Sequence, residues 1–443
     1  MRRRKPPRES TARIEDISHD GRGVARVDGK TVFVDGALPG ELATFRHVKP
    51  HRKFDEAQVL SIENASTDRV APRCAHFGTC GGCTMQHLSS DAQVRAKQKV
   101  LADNLERIGK VAPKEWLRPL TAEVWGYRRR ARLGVKWVRR KQRMLVGFRE
   151  RHSPHLAEIE SCQVLDAKVG GLLRPLAELV TALSIPERIP QFEVSVADNA
   201  VAIVVRHLDP LTPDDLQKLA TFGQKHGIRF YLQPKGPDSI APLEDNDEPL
   251  YFDIPAHDVR LQFEPGDFIQ VNRSINNAMI DHALALLELD GKQDVLDLFC
   301  GLGNFSLPIA RHAASVTGVE GDESLVKHAR ENATRNNISN AEFFTANLFE
   351  DVRDFAWAKR DYDRVLLDPP RAGAEEICRR IERFSPGRHG PERIVYVSCH
   401  PGTLARDAGI LVHEKGYELE KAGVMDMFPH TAHVESIAVF TRS

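Results

Sequence analysis

The sequence lacks long apolar runs, although 41% of its 443 residues are hydrophobic. No stretch approaches the roughly 18 to 20 consecutive apolar residues that a bilayer-spanning helix requires. The N-terminus, MRRRKPPRES, is basic and lacks the apolar core of a secretory signal peptide. These absences predict a soluble, cytoplasmic protein that makes no membrane contact.

The chain also lacks net charge, because 62 Lys and Arg residues balance 62 Asp and Glu residues. The balance conceals two basic segments. Residues 1–9 form a basic arm, and residues 125–152 contain eleven Lys or Arg residues against one Glu, with Trp and Tyr rings interleaved. A solvated charged face is one interpretation. Binding of a nucleic-acid backbone is better supported, because the charges have one sign and the rings can stack on bases.

Cysteine is scarce, and its odd count of seven argues against a secreted disulfide framework. Cys74, Cys80 and Cys83 nevertheless lie close together in RCAHFGTCGGCTMQH, and Cys162 in IESCQVL is a candidate fourth member. Clustered thiols in a cytoplasmic protein predict a metal centre. The spacing does not separate tetrahedral zinc from an iron–sulfur cluster, because both accept four thiolates.

The chain is too long for one ordinary domain, so two or three are expected. Short β-branched segments and Gly-containing turns predict a small β-barrel over residues 10–66. A central α+β domain is expected over 67–262, with a helix at 89–109 that could pack on the following domain. Alternating apolar strands and helices over 263–443 predict a doubly wound, mainly parallel sheet with an antiparallel edge.

The C-terminal domain has neither a GxGxxG dinucleotide motif nor a GxxxxGK[ST] phosphate loop, which disfavours both ligand classes. A different glycine loop, containing Gly301 and Gly303, joins a strand to a helix in LDLFCGLGNFSLPIA. The next four strands are predicted to end at Glu320, Asn347, Asp368 and Cys399. Ligands of such sheets bind at the carboxyl ends of the strands, which predicts a cofactor site at this edge.

The segment LLDPPR, residues 366–371, refines the expected chemistry. Asp-Pro-Pro after a strand predicts a rigid loop that faces the site. Methylases of exocyclic amines resemble this pattern, but they typically place an aromatic ring after the prolines. Arg371 stands there instead, which favours methylation at carbon.

The motifs FIQVN (268–272), LDLFCGLGNFSLPIA, GVE, TAN, LLDPPR, VSCHP and FPHTAHVES together resemble the RNA uracil-5-methyltransferase family. The resemblance covers nearly the whole chain. It implies a class I, Rossmann-like S-adenosylmethionine methyltransferase domain over 263–443 and an OB-like TRAM barrel that binds RNA. The implied cofactor contacts are Gln270, Phe299, Asn304, Glu320, Asn347 and Asp368. His400 departs from the asparagine that is common at its position.

The same resemblance assigns the chemistry to two side chains. Cys399 is the expected nucleophile, which adds to carbon 6 of uracil, and Glu435 is the expected base, which removes the proton from carbon 5. The dipole of the helix after Cys399 is expected to favour its thiolate. A buried structural cysteine is the alternative. His430 and His433 are rival bases, and Phe268 could stack on the uracil.

The resemblance further implies a [4Fe-4S] cluster on Cys74, Cys80, Cys83 and Cys162, with a structural or RNA-positioning role. It points to the branch acting on 23S ribosomal RNA, because the transfer-RNA branch generally lacks the barrel and the cysteines. A looped or single-stranded substrate is expected, since carbon 6 is reached only on an unstacked base. We expect a monomer without an obligate protein partner. The alternatives are a transfer-RNA uracil-5-methyltransferase, a cytosine-5 methylase and an inactive, metal-bearing RNA-binding protein.

Overall fold

The computed structural model describes residues 8–245 and 248–442. Most of the predicted basic arm, residues 1–7, lies outside these ranges. Within them, no helix combines the length and the apolar character needed to cross a bilayer.

The N-terminal unit is a six-stranded sheet that its first strand closes into a barrel. Its strands are β1 (Glu9–Arg13), β2 (Asp16–Ile17), β3 (Gly23–Val27), β4 (Lys30–Asp35), β5 (Leu42–Pro50) and β6 (Phe54–Glu63). β1 pairs with β5, whereas β2, three residues further on, pairs with β3. Asp28 and Gly29 both have positive φ, as a two-residue hairpin turn of type I′ requires. Val32, Val34 and Phe45 fill the interior.

The chain then leaves the barrel and crosses to the C-terminal domain. The crossing segment contains α1 (Ser90–Asn104), a π-helical turn (Leu105–Gly109) and β7 (Glu115–Trp116). The predicted cap is Ser89, whose hydroxyl accepts a hydrogen bond from the amide of Ala92 at 3.4 Å. α1 buries Lys97 against the C-terminal domain, where its ammonium lies 2.6 Å from Asp426.

The central unit is built on a second six-stranded sheet. Its strands are β8 (Arg130–Val138), β9 (Arg143–Gly147), β10 (Gln191–Val196), β11 (Val201–Arg206), β12 (Ile228–Gln233) and β13 (Ala241–Pro242). Its helices are α2 (Ala167–Gly170), α3 (Leu173–Thr181) and α4 (Pro213–His226). The spatial order is β13-β12-β11-β10-β8-β9, and only β11 and β12, which α4 connects, run parallel. β8 alternates buried residues with polar ones, so Arg132 and Lys136 are exposed on its outer face.

A hairpin, β14 (Leu250–Ile254) and β15 (Val259–Phe263), precedes the largest sheet. That sheet contains β16 (Asp294–Leu298), β17 (Ser315–Glu320), β18 (Ala341–Thr345), β19 (Arg364–Leu367), β20 (Arg393–Ser398), β21 (Glu418–Met425) and β22 (Glu435–Thr441). The accompanying helices are α5 (Arg273–Leu287), α6 (Ser306–Ala310), α7 (Glu323–Arg335), α8 (Glu375–Arg379) and α9 (Pro401–His413).

The strand order of this sheet is β18-β17-β16-β19-β20-β22-β21-β7. The strands from β18 to β20 are parallel, whereas β22 runs antiparallel to both of its neighbours. The predicted doubly wound sheet with a closing antiparallel pair is therefore confirmed. β7 adds an edge strand that the sequence did not suggest. The order reverses at β16, and the crevice beside its carboxyl end is where such sheets bind ligands.

Candidate active site

A cavity of about 890 Å³ opens at the carboxyl edge of the C-terminal sheet. The loops after β16, β17, β19 and β20 form one side of it, and the FIQVN segment forms another. All the predicted catalytic and cofactor-binding residues line this cavity, namely Gln270, Phe299, Asn304, Glu320, Asn347, Asp368, Cys399 and Glu435. The fold thus brings together side chains that the sequence spreads over the whole domain.

The loop after β16 is held against the end of β17. Phe299 has a φ of 67°, which is uncommon for a bulky residue, and its amide donates to the carbonyl of Val319 at 2.8 Å. The amide of Gly301 donates to Glu320 Oε2 at 3.1 Å. The other carboxylate oxygen, Oε1, accepts from the amides of Gly321 and Asp322 at 2.6 and 3.2 Å. Three backbone amides therefore fix the Glu320 carboxylate at the rim.

The amide side chains around the cavity are also held in place. Asn304 exchanges two hydrogen bonds with Asn276 of α5, at 2.9 and 3.1 Å. Asn347 donates to Glu350 at 2.8 Å. The backbone carbonyl of Gln270 accepts from the guanidinium of Arg129 at 2.7 Å, which fixes the main chain at this residue. The hydrogen bonds of Asn304 and Asn347 restrict those two side chains.

Two residues of this cavity region escaped the sequence analysis. Phe349 is 48% exposed, lines the cavity and lies 5.8 Å from Phe299 between ring centroids. Asp297, in β16, is fully buried and accepts a hydrogen bond from the Ser306 hydroxyl. The sequence does show that Phe349 follows a strand and that Asp297 lies inside one. Neither feature belongs to a general motif, so neither residue was selected.

Burial dominates the electrostatics of the carboxylates. Burial, with the nearby charge of Glu320, raises the pKa of Asp368 to about 7. Burial also raises the pKa of Asp297 to about 7, although its hydrogen bond from Ser306 opposes the shift. This edge of the cavity gains negative charge near neutral pH and favours a cationic ligand.

Cys399 directly follows β20, and its thiol is only partly buried. Burial and the charges of Glu435 and Asp368 raise its pKa to about 11, with Arg371 opposing them. Burial therefore opposes any stabilisation of the thiolate by the dipole of α9. His400 caps α9, since its Nδ1 accepts from the amide of Thr403 at 3.2 Å. Asparagine is a good cap for the same reason, which accounts for the substitution.

Glu435 begins β22, and its side chain is only 12% exposed. Burial and the nearby charge of Asp368 raise its pKa well above the usual value, while Lys97 and Arg371 oppose the shift. Its rival His433 also lines the cavity, with Nε2 3.5 Å from Glu435 Oε1. His430 is buried beneath Trp125, with ring centroids 3.9 Å apart, and is absent from the cavity lining.

The four clustered cysteines line a second, much smaller pocket of about 30 Å³. Burial raises the pKa of the Cys83 thiol to about 12 and also raises the pKa values of Cys80 and Cys162. In the part of the chain that the structure describes, no group of three or more His, Cys, Asp or Glu side chains is arranged to hold a metal ion. The four thiols nevertheless line one pocket.

The sheet topology and the cavity together define a methyltransferase fold. The solved structure of Pyrococcus abyssi tRNA (uracil-54, C5)-methyltransferase in complex with S-adenosyl-L-homocysteine shares the fold, with a TM-score of 0.72 and 24% sequence identity. The match covers 98% of this chain and 100% of that one.

The chain belongs to the tRNA (uracil-5-)-methyltransferase family, whose model matches residues 91–443, and a TRAM domain model matches residues 3–60. The chain is 52% identical over 443 residues to the 23S rRNA (uracil(1939)-C(5))-methyltransferase RlmD of Alkalilimnicola ehrlichii, covering 100% of this chain and 98% of the relative. The protein of the same name from Stenotrophomonas maltophilia is 51% identical over 434 residues, 97% of this chain and 96% of the relative. The family resemblance is confirmed.

Proposed function

We propose that the chain transfers a methyl group from S-adenosylmethionine to carbon 5 of a uridine in 23S ribosomal RNA. The main support for this function is the 51–52% identity, over nearly the whole chain, to relatives named for this reaction. The cavity supports this function, because the Cys399 thiol, the buried Glu435 carboxyl group and the predicted cofactor contacts all line it.

The cavity edge fits S-adenosylmethionine. Glu320, held by three backbone amides, would accept hydrogen bonds from the ribose hydroxyls. The Phe299 and Phe349 rings would flank the adenine, and Asp368 would face the positive charge. Gln270, Asn304 and Asn347 would supply the remaining polar contacts. When bound, the cofactor supplies a methyl group on a cationic sulfonium.

Cys399 would begin the reaction at the uracil ring. Once the thiol has lost its proton, the thiolate sulfur bonds to carbon 6, the double bond between carbons 5 and 6 opens, and its electrons move into an enolate. Carbon 5 thereby becomes nucleophilic and takes the methyl group. Phe268, 61% exposed at the cavity wall and 5.9 Å from the Arg130 guanidinium, would stack on the base.

Glu435 would complete the reaction. Its carboxylate takes the proton from carbon 5, the double bond re-forms, and the sulfur leaves carbon 6 as a thiolate. Lys97 and Arg371 oppose the rise in the pKa of Glu435 that burial and Asp368 cause, although the pKa stays well above its usual value. His433 lies near enough to hydrogen-bond to Glu435 after a small movement.

Substrate RNA would reach the cavity along the positively charged outer face of β8. Arg132 and Lys136 alternate with buried residues there, and Arg128 lines both the catalytic cavity and the cysteine pocket. The TRAM barrel would add phosphate contacts. A uridine must leave its stack for carbon 6 to be reached.

Cys74, Cys80, Cys83 and Cys162 would hold the [4Fe-4S] cluster that the family resemblance implies. Four thiols line one space, and aromatic and aliphatic side chains, including Phe77, Phe148 and Ile159, surround them. The amide of Gly82 donates to Cys80 Sγ at 3.4 Å, as outer hydrogen bonds to cluster ligands do. When bound, the cluster would supply a rigid cross-link, since methyl transfer moves no electron. The protein would act in the cytoplasm as a monomer.

The test supplies anaerobically purified protein with labelled S-adenosylmethionine and, separately, unmodified 23S and transfer-RNA transcripts. Nucleoside digestion and mass spectrometry identify the product. We expect 5-methyluridine at one position of the 23S transcript, and none with the Cys399→Ser variant. Methylation of transfer RNA alone, or of cytidine, would contradict the proposal.

A further inference from the structure

Glu435 follows a nine-residue loop, 426–434, whose anchoring contacts come largely from outside the C-terminal domain. The loop connects β21 to β22. It lines the catalytic cavity through Phe428, Thr431, Ala432 and His433. Its conformation therefore decides where the Glu435 carboxyl group points.

The segment that follows the cysteine loop holds the centre of this 426–434 loop. The amides of Thr84 and Met85 both donate to the carbonyl of His430, at 2.9 and 3.0 Å. The Thr84 hydroxyl accepts from the amide of Ala432 at 3.2 Å. Thr84 directly follows Cys83, and Thr84, Gly81 and Gly82 also line the catalytic cavity.

Helix α1 holds the other half of the loop. Gln93 is 1% exposed, accepts from the amide of His430 at 2.8 Å and donates to the carbonyl of Met85 at 3.0 Å. Lys97, one turn further along, donates to the carbonyl of Phe428 at 2.9 Å. Gln93 thus ties the segment after the cysteines and the 426–434 loop to one helix.

The loop is strained where these bonds converge. His430 has a φ of 66°, although it is neither glycine nor asparagine. Such a backbone persists only when its surroundings over-determine it. The bonds from Thr84, Met85 and Gln93, with the Trp125 ring against the imidazole, supply that constraint.

We propose that Thr84 is a positioning residue for Glu435, so that the cysteine segment controls release of methylated RNA from the enzyme. The inference rests on the proposed function, in which Glu435 takes the carbon 5 proton. The hydroxyl of Thr84 fixes the loop three residues before Glu435. Its loss leaves the attack by Cys399 intact and slows only the step in which the carbon 5 proton leaves and the sulfur–carbon 6 bond breaks.

The test compares Thr84→Val, which removes the hydroxyl at similar size, with Thr84→Ser, which keeps it. Each protein is mixed with unmodified 23S transcript and labelled S-adenosylmethionine, and covalent protein–RNA adduct is followed on denaturing gels. We expect Thr84→Val to form adduct at the wild-type rate but to release it about fivefold more slowly, the effect of one lost hydrogen bond. Thr84→Ser should release it at the wild-type rate.

Glu435→Gln serves as the benchmark, because it should accumulate adduct most strongly. Accumulation in Glu435→Gln but wild-type release in Thr84→Val would overturn the role of Thr84 alone. A lack of accumulation in Glu435→Gln would overturn the base assignment and this inference with it. If Thr84→Val does not fold, as judged by near-ultraviolet circular dichroism, Thr84→Ala replaces it with the same expected outcome.

Discussion

At Cys399 the surroundings oppose the ionisation that nucleophilic attack requires. Burial and two nearby carboxyl groups raise the pKa of the thiol to about 11. The guanidinium of Arg371 opposes this shift but does not overcome it. The Cys399 thiol is therefore mostly protonated near neutral pH. A cationic ligand in the cavity would lower its pKa.

The raised pKa of the Cys399 thiol predicts how the rate of its alkylation depends on pH when neither cofactor nor RNA is added. Only the thiolate reacts with iodoacetamide, and its fraction grows about tenfold per pH unit below the pKa. We expect the rate of Cys399 labelling, read by mass spectrometry of its peptide, to keep rising from pH 7 to 10. A plateau below pH 9 would contradict the raised pKa.

Asp368 predicts a second pH dependence, in cofactor affinity. Its pKa is raised to about 7, so at pH 6 most Asp368 side chains are protonated and neutral. Each must lose its proton before it can attract the positive charge of the cofactor. Affinity for S-adenosylmethionine should therefore rise as pH increases from 6 to 8, by up to about tenfold per unit below the pKa. Calorimetry should show a weaker slope for Asp368→Asn and an unchanged slope for the surface variant Asp281→Asn.

At the scale of single residues, the sequence located those that a motif marks. Cys399 and Asp368 stand at strand ends, where general rules place ligands. Glu435 was found by resemblance only, because an acid at the start of a strand has no distinctive local signal. Burial and pKa shifts depend on neighbours distant in the chain, so the raised pKa of the Cys399 thiol could not be predicted from the sequence.

Among the helices and strands, the apolar strands were predictable from the sequence. The edge strand β7 and the polar contacts between α1 and the C-terminal domain were not. β19 and β20 are nearly continuous apolar runs, as strands covered on both faces must be. β7 is two exposed residues, Glu115 and Trp116, and carries no such pattern. α1 packs on the C-terminal domain through Gln93 and Lys97, which are both buried. Glutamine and lysine are usually exposed, so the sequence did not indicate this contact.

The Lys97–Asp426 ion pair predicts how strongly α1 is attached. Both side chains are almost fully buried, at 2% and 4% exposure, so Lys97→Met leaves an unpaired buried carboxylate. We expect a loss of about 3–5 kcal/mol in the unfolding free energy of the C-terminal domain, measured by urea denaturation.

Two variants complete this test. Lys97→Met combined with Asp426→Leu should recover most of the loss, because neither charge remains. Lys99→Met, two residues along the same helix and half-exposed, should cost less than about 1 kcal/mol. An equal loss in the Lys97 and Lys99 variants would show that the buried pair has no special role.

Across the whole molecule, the cysteine pocket connects the linker after the barrel to the central domain. Cys74, Cys80 and Cys83 come from that linker, whereas Cys162 precedes α2. The sequence grouped the first three by spacing. Spacing alone did not group Cys162, 79 positions after Cys83, with them; the family resemblance named it, and the fold brings it to the same pocket.

We predict that anaerobically purified protein contains about four iron atoms per chain and that Cys162→Ser loses most of them. The same variant should expose residues 74–83 to proteolysis, because the cross-link to the central domain is broken. Cys378→Ala, in the core of the C-terminal domain, should keep its iron. Iron content that does not depend on Cys162 would contradict the proposed ligand set.

The central claim is that Cys399 bonds to carbon 6 of a 23S uridine, and covalent trapping tests it most directly. Fluorine at carbon 5 cannot be removed as a proton is, so a transcript containing 5-fluorouracil should stay attached after methyl transfer. With S-adenosylmethionine present, wild-type protein should give a shifted band on a denaturing gel, and mass spectrometry should place the RNA on the Cys399 peptide. Cys399→Ala should bind the transcript without any shift. A wild-type protein that binds the RNA but forms no adduct, or an adduct that persists in Cys399→Ala, would contradict the account.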